Sequence, residues 1–228
     1  ESKINLDQVR VLAPVLPRSK VVCIGKNYAD HAKEMGGEVP EEPIIFIKPN
    51  TSVIGPDDVI QWPSMASRVD HEAELAVVIG RICKDVPKEK ATDVIFGYTL
   101  ANDITARDLQ QKDGQWTRAK GFDTFAPCGP WITTSDEISE PQNLKMTTKI
   151  NGSLRQNSNT TNMSIKIPSI IAKLSKVMTL EKGDIISTGT PAGVMLNKPD
   201  AIFLKDGDKI EMEIENIGKL ENTVRFVH

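Results

Sequence analysis

The chain has 228 residues, 39% of them hydrophobic and 26% charged, with a formal net charge of −3, which suffices for one sizeable core. Lysines and arginines are scattered, so there is no electrostatic footprint for nucleic acid or an anionic membrane, and no apolar run approaches the length that spans a bilayer. Cys23, Cys83 and Cys128 are odd in number, widely spaced and without a CxxC pair, which supports neither a disulfide framework nor a zinc knuckle and fits a reducing compartment such as the cytoplasm.

The opening ESKINLDQVRVLAPVLP carries no apolar signal core, and residues 1–19 read as a short N-terminal segment ahead of one domain over 20–228. Along that domain the hydrophobic period switches often between two and about 3.6 residues, the pattern of an α+β fold with more strand than helix. KVVCIG (20–25) and IIFIK (44–48) read as buried strands. Between them Asn27 is placed to cap a short helix with Asp30 in its first turn, which Gly36 and Gly37 end. DHEAELAVVIG (70–80) reads as a strand, DVIFGYTLANDI as another leading into a turn, and TARDLQQKDG as a short helix. A hairpin is expected around Asn151-Gly152. The next helix, near Pro168 to Met178, sets Ile170, Ile171, Leu174, Val177 and Met178 on one face, with the proline in its first turn. Two strands joined at Asn216 to Gly218 complete the chain, and Trp116 and Trp131 are assigned to the core.

Acid placement separates surface from site. Glu211, Glu213 and Glu215 alternate with Ile210, Met212 and Ile214, so they belong to the wet face of a strand. Glu72 and Glu74 also share a face, but the strand that follows them is apolar on both sides. Like charges at the end of a buried strand must be protonated, paired with bases or bound to a cation. Asp103, at the end of the neighbouring strand, adds a third carboxylate. The resulting all-oxygen set suits a hard cation, Mg2+ or Mn2+. His71 points away from Glu72 and reads as structural or surface.

DHEAELAVVIG, NDITARDLQ, RAKGFDTFAPCGPW and STGTPAGV, with GKNYADHAKEM upstream, resemble the fumarylacetoacetate hydrolase superfamily, closest to its small acylpyruvase and oxaloacetate decarboxylase members. The resemblance implies a mixed β-sandwich roll as the catalytic domain, a homodimer, and a divalent metal on Glu72, Glu74 and Asp103. It makes the segment before Val21 a remnant of a small N-terminal domain.

His31 and Glu34, three apart on the short helix, are spaced for a carboxylate to orient an imidazole. In similar enzymes such a pair sits on a mobile lid and activates water, with Gly36 and Gly37 as hinge here. By the same resemblance Lys120 faces the metal, where an ammonium stabilises an enolate; Asp123 is read as orienting Lys120 or the metal ligands. Arg107 and Gln110 share a helix face directed at substrate carboxylates, the alternative for Arg107 being a salt bridge. Thr190 lies in a Gly- and Pro-rich turn suited to a carboxylate. One departure stands out: Lys26 occupies a position where the family often has Arg before Asn-Tyr, and a point charge does not replace a bidentate guanidinium.

The expected substrate is a small 2-oxo acid. Hydrolytic cleavage of an acylpyruvate, with His31 and Glu34 activating water, is the first expectation, together with decarboxylation of oxaloacetate through the same enolate. Isomerisation of a 2-hydroxymuconate-type diacid, or a silent binding homologue, is the alternative.

Overall fold

A segment apolar on both faces has to lie inside a sheet with cover on either side, and residues 73–79 occupy that place. The computed structural model describes residues 3–196 and 201–227. Its elements begin with β1 (Val21–Gly25), α1 (Ala29–Glu34), β2 (Ile44–Lys48), β3 (Val53–Ile54), β4 (Val59–Pro63) and β5 (Val69–Asp70). Then come β6 (Ala73–Ile79), β7 (Ile95–Asn102), β8 (Thr105–Ala106), α2 (Arg107–Asp113), α3 (Thr117–Lys120) and β9 (Ala126–Thr134). The hairpin β10 (Lys145–Ile150) and β11 (Ser153–Asn159), α4 (Ile167–Val177), β12 (Ile185–Ser187), β13 (Lys209–Ile214) and β14 (Gly218–Val227) follow. The fold is mostly β, with curled sheets, as the alternating patterns predict.

A seven-stranded sheet runs β2-β1-β12-β6-β7-β9-β3 and a five-stranded one β11-β10-β13-β14-β4, while β5 and β8 pair on their own. Both large sheets are mixed: β1 with β12, β3 with β9, and β14 with β4 are parallel, the other pairs antiparallel. Period two divides β6 between two apolar clusters. Ala73, Leu75, Val77 and Ile79 enter the main core, while Ala76 joins Val21, Cys23, Ala101 and Cys128 on the opposite face. Glu74 is on that second face, so the polar site grows from the end of the smaller cluster.

Local expectations hold where backbone chemistry is specific. Asn151 and Gly152 take φ of 49° and 77° at the β10–β11 turn, the left-handed region that Asn and Gly tolerate best. Ile210, Met212 and Ile214 are buried while Glu213 and Glu215 are exposed. Five expectations fail for reasons of context. β2 is an edge strand, not a buried one, and Ile47 is 41% exposed. Val177, in the last turn of α4, faces solvent, as do Trp131 on β9 and Asp123. Tyr28, not Asn27, precedes the first residue of α1, and its side chain forms no cap.

Asn27 is spent on tertiary structure instead. Its Nδ2 donates to the carbonyls of Ile165 (3.0 Å) and Thr188 (2.8 Å), and its Oδ1 accepts from Ile165 N (2.7 Å). Fully buried, it ties the start of α1 to the loops before α4 and after β12. Asn27→Ala strands three buried backbone groups, each worth about 1–3 kcal/mol when left unsatisfied. The expected result is a loss of about 3 kcal/mol or more in denaturant-unfolding free energy; an unchanged midpoint would show that water replaces the side chain at no cost.

Candidate metal centre and active site

Register brings the acids together. Ala73 pairs with Asn102 and Glu74 with Ala101 across β6 and β7, so Glu72 and Asp103 come one position beyond a matched pair of strand ends. The Asp103 amide donates to the Glu72 carbonyl (2.9 Å) and the Glu72 amide to Asn102 Oδ1 (3.1 Å), which fixes both backbones. One carboxylate oxygen from each of Glu72, Glu74 and Asp103 lies within 4.8 Å of the others, and all three side chains are buried. This is the carboxylate trio expected from the spacing.

Three buried bases surround it. Lys120, at the end of α3, places Nζ 2.8 Å from Glu72 Oε2 and 2.6 Å from Asp103 Oδ2, with the Phe46 ring 5.1 Å away. Lys48, at the end of β2, is 2.5 Å from Asp103 Oδ1 and also donates to the Ile104 carbonyl (3.1 Å). Arg107 reaches Asp70 Oδ2 with Nε (2.9 Å), Gln110 Oε1 with Nη1 (3.1 Å) and Glu72 Oε1 with Nη2 (2.6 Å).

Glu74 is the exception among the acids. Its Oε2 accepts from Ser187 Oγ (2.5 Å) and from Gly189 N (2.8 Å), and among the described residues no cation pairs with it. Burial, with Asp103 and Glu72 close by, pushes its carboxyl up to about 8. Burial acts on Glu72 in the same direction, but Lys120 and Arg107 outweigh it and hold that carboxyl well below the usual range. Counting Asp70, four carboxylates meet three cations here, so one negative charge is unbalanced when Glu74 ionises. An all-oxygen trio with a surplus of negative charge fits a divalent cation, with Glu72, Glu74 and Asp103 as its holders.

The walls of the pocket over the trio include His31, Gln110, Trp116, Lys120 and Thr190. α1 carries His31 to the opening, where it is buried, with Nδ1 3.6 Å from Glu34 Oε2. Glu34 in turn accepts from the amide of Gly193 at 3.2–3.3 Å. The structure therefore places His31, Glu34, Lys120, Gln110 and Thr190 around the acids.

Two expected roles change with the geometry. Arg107 is fully buried behind Glu72 and pairs with Asp70 and Glu72, so the salt bridge, not a substrate carboxylate, takes its guanidinium. Thr190 Oγ1 gives its one proton to the Ala73 carbonyl (2.8 Å) and accepts from Gln156 Nε2 (2.8 Å). The turn that sequence offers to a substrate carboxylate thus binds Glu74 through Gly189. Asp123 is exposed and does not reach Lys120. His71 is structural, not surface: it is 1% exposed, its Nδ1 is 3.4 Å from Asp70 Oδ1, and burial lowers its pKa.

Sequence reasoning missed Lys48, Asp70, Ser187 and Trp116. The signal for Lys48 was present, since IIFIK ends an apolar run on a charge that β-strand alternation points inward. Trp116 packs edge-on against Phe46 (centroids 5.2 Å) at the pocket wall.

The unbalanced charge makes a sharp prediction. A carboxyl raised in the folded state contributes stability that is full below its unfolded pKa and is lost as pH rises through the folded one. In chelator-treated protein, Glu74→Gln is therefore expected to raise the thermal midpoint at pH above about 8 but not below about 4.5. Mg2+ or Mn2+ is expected to raise the midpoint of the parent protein, and the same substitution to abolish that rise. A metal-induced rise that survives Glu74→Gln would remove this residue from the metal set.

Comparison with known proteins agrees with this geometry. The chain is 46% identical to oxaloacetate tautomerase YisK of Bacillus subtilis over 224 residues, 96% of this chain and 74% of that protein. It is 45% identical to the mitochondrial oxaloacetate tautomerase fahd2 of Xenopus laevis, over 97% of this chain and 70% of that one. The crystal structure of 5-carboxymethyl-2-hydroxymuconate delta-isomerase from Mycobacterium smegmatis superposes with a TM-score of 0.87 at 51% identity, covering 98% of this chain and 84% of that one. With the fumarylacetoacetate (FAA) hydrolase C-terminal pattern matched across residues 20–225, this chain belongs to the fumarylacetoacetate hydrolase family.

Proposed function

We propose that this protein is a divalent-metal enzyme of small 2-oxo acids whose main reaction is enol–keto exchange of an oxaloacetate-type diacid. The observation that carries the reading is one buried carboxylate trio with Lys120 and His31 on the walls of the same pocket. The walls of that pocket are crowded with charged and polar groups, Lys26, His31, Gln110, Lys120 and Thr190 among them, a lining that suits a small, polar acid. Relatives named as oxaloacetate tautomerases, and a similar structure named as an isomerase of an unsaturated hydroxy diacid, support proton transfer as the common step.

A divalent cation held by Glu72, Glu74 and Asp103 would supply Lewis-acid polarisation of the 2-oxo group. The protein's own groups do the rest. His31 is the base that takes a proton from the carbon next to the 2-oxo carbon; the electron pair left behind forms the carbon–carbon double bond, and negative charge moves to the oxygen. Lys120 holds that charge with its ammonium. A proton delivered to the oxygen completes the enol, and the reverse sequence restores the ketone. Glu34, near Nδ1, orients the ring for this work. Trp116 and Phe46 keep one wall apolar, which strengthens each charge interaction inside.

A second reading uses the same base on water. The His31–Glu34 arrangement favours it, since an imidazole steered by a carboxylate also activates water for cleavage of an acylpyruvate. Decarboxylation of oxaloacetate needs only the enolate-stabilising side of the site: exchange gives up a carbon–hydrogen bond at the carbon next to the 2-oxo group, whereas decarboxylation and hydrolysis both give up the carbon–carbon bond on its far side, and hydrolysis alone adds water.

The test follows ultraviolet absorbance of oxaloacetate enol, oxaloacetate loss and acetylpyruvate loss, each with Mg2+ and with excess chelator. The expected outcome is chelator-sensitive enol–keto exchange faster than loss of either substrate. Lys120→Met should lower kcat by about 100- to 1,000-fold and His31→Ala by about 100-fold or more. Full activity in chelator, or after Glu72→Ala, would overturn the metal reading; acetylpyruvate loss outrunning exchange would put the hydrolytic reading first.

A further inference from the structure

Three of the cations at the site are committed: Lys48 to Asp103, Lys120 to Glu72 and Asp103, Arg107 to Asp70 and Glu72. Lys26 lines the same pocket, and among the described residues its ammonium has neither an ion pair nor a hydrogen bond. It is half-buried. The ammonium lies beside the turn that ends α1, where a Cβ on Gly37 would be 3.7 Å from Nζ.

The backbone holds Lys26 there at a cost. Its φ is 56°, in the left-handed region that a long side chain rarely adopts. Both neighbours are fixed. A Cβ on Gly25 would fall 2.6 Å from the Trp116 ring, and Asn27 is tied to Ile165 and Thr188. Strain kept where the surroundings over-determine it is a mark of function, and the strained residue here is the cation that faces the pocket unpaired.

We propose that Lys26 binds the second, distal carboxylate of a diacid and so selects diacids over their monoacid counterparts. The inference rests on the reading above that the substrate is a small 2-oxo acid, and it adds which one. A carboxylate and 2-oxo group directed at the acidic trio leave the far end of a four-carbon acid near the pocket rim. A neutral ester or methyl there would leave the ammonium without an anion, whereas a carboxylate forms a charge-assisted bond.

The test measures binding apart from turnover. Difluorinated oxaloacetate, which cannot enolise, and its ester at the distal carboxylate are titrated calorimetrically into the Mg2+-loaded protein and into Lys26→Gly, Lys26→Met and Lys26→Arg. Losing one charge-assisted contact should weaken the diacid by about ten- to a hundredfold in the Gly and Met variants, with the ester unchanged. Lys26→Arg should keep the diacid preference. Lys26→Gly should also leave the thermal midpoint equal or higher, since glycine relieves the left-handed strain. Equal weakening of diacid and ester, or a diacid preference undiminished in both the Gly and Met variants, would overturn the proposal. If the wild type shows no enol–keto exchange but still binds the diacid through Lys26, the reaction reading fails and this one stands. If exchange proceeds while the preference ignores residue 26, the reverse holds.

Discussion

Everything around this site follows from keeping carboxylates out of water. Isolated ions pay several kcal/mol each on burial, and the chain meets that cost with neighbours drawn from distant segments. Lys48 comes from an edge strand, Lys120 from a short helix, and Arg107 from the helix that follows Asp103. None of these bases is close in sequence to Glu72, yet each has a carboxylate oxygen within 2.8 Å. Folding of the seven-stranded sheet and assembly of the charge cluster are therefore one event. Glu74 is left with only a hydroxyl and an amide, which defines the place of the missing positive charge.

The loop after β12 joins the parts that would otherwise be independent. Gly189 holds Glu74, Gly193 holds Glu34, and the amide of Met195 donates to Asp70 Oδ2 (3.0 Å). The acid of the candidate metal trio, the acid beside His31 and the acid of the Arg107 salt bridge are thus linked by one short stretch of backbone. Gly193 takes φ of 113°, and a Cβ there would fall 2.3 Å from the Arg155 carbonyl. Only glycine fits, so the approach of this loop to β11 sets the spacing of the pieces. A frame of this kind is what the proposed proton transfer needs, because a base and a charge-stabilising ammonium act only when held in register.

Much of this was legible in the sequence, for identifiable reasons. Period-two alternation is geometry, so it separated the wet Glu213 and Glu215 from the buried Glu74 and gave β6 its two apolar faces. Left-handed turns carry their own residues, which exposed the hairpin at Asn151-Gly152. Partner choice was not legible. Whether Arg107 meets a ligand or Asp70 depends on β5 lying against β8, a tertiary fact with no local signature. Asn27 has the composition of a cap, but hydrogen bonds to residues more than a hundred positions away outcompete the helix end. Lys48 was hidden by convention, since a lysine at the end of a strand usually marks solvent. The exposure of Val177 reflects where α4 leaves the core, which its own pattern does not encode.

The site divides into a fixed floor and a separable rim. Floor residues other than Glu74 are paired with one another, so replacing one of them leaves a buried partner charge uncompensated. Rim residues such as Lys26 and Trp116 touch the pocket without joining that ledger of charge. The wall of the pocket is therefore open to reshaping one side chain at a time while the buried ion pairs beneath it stay intact.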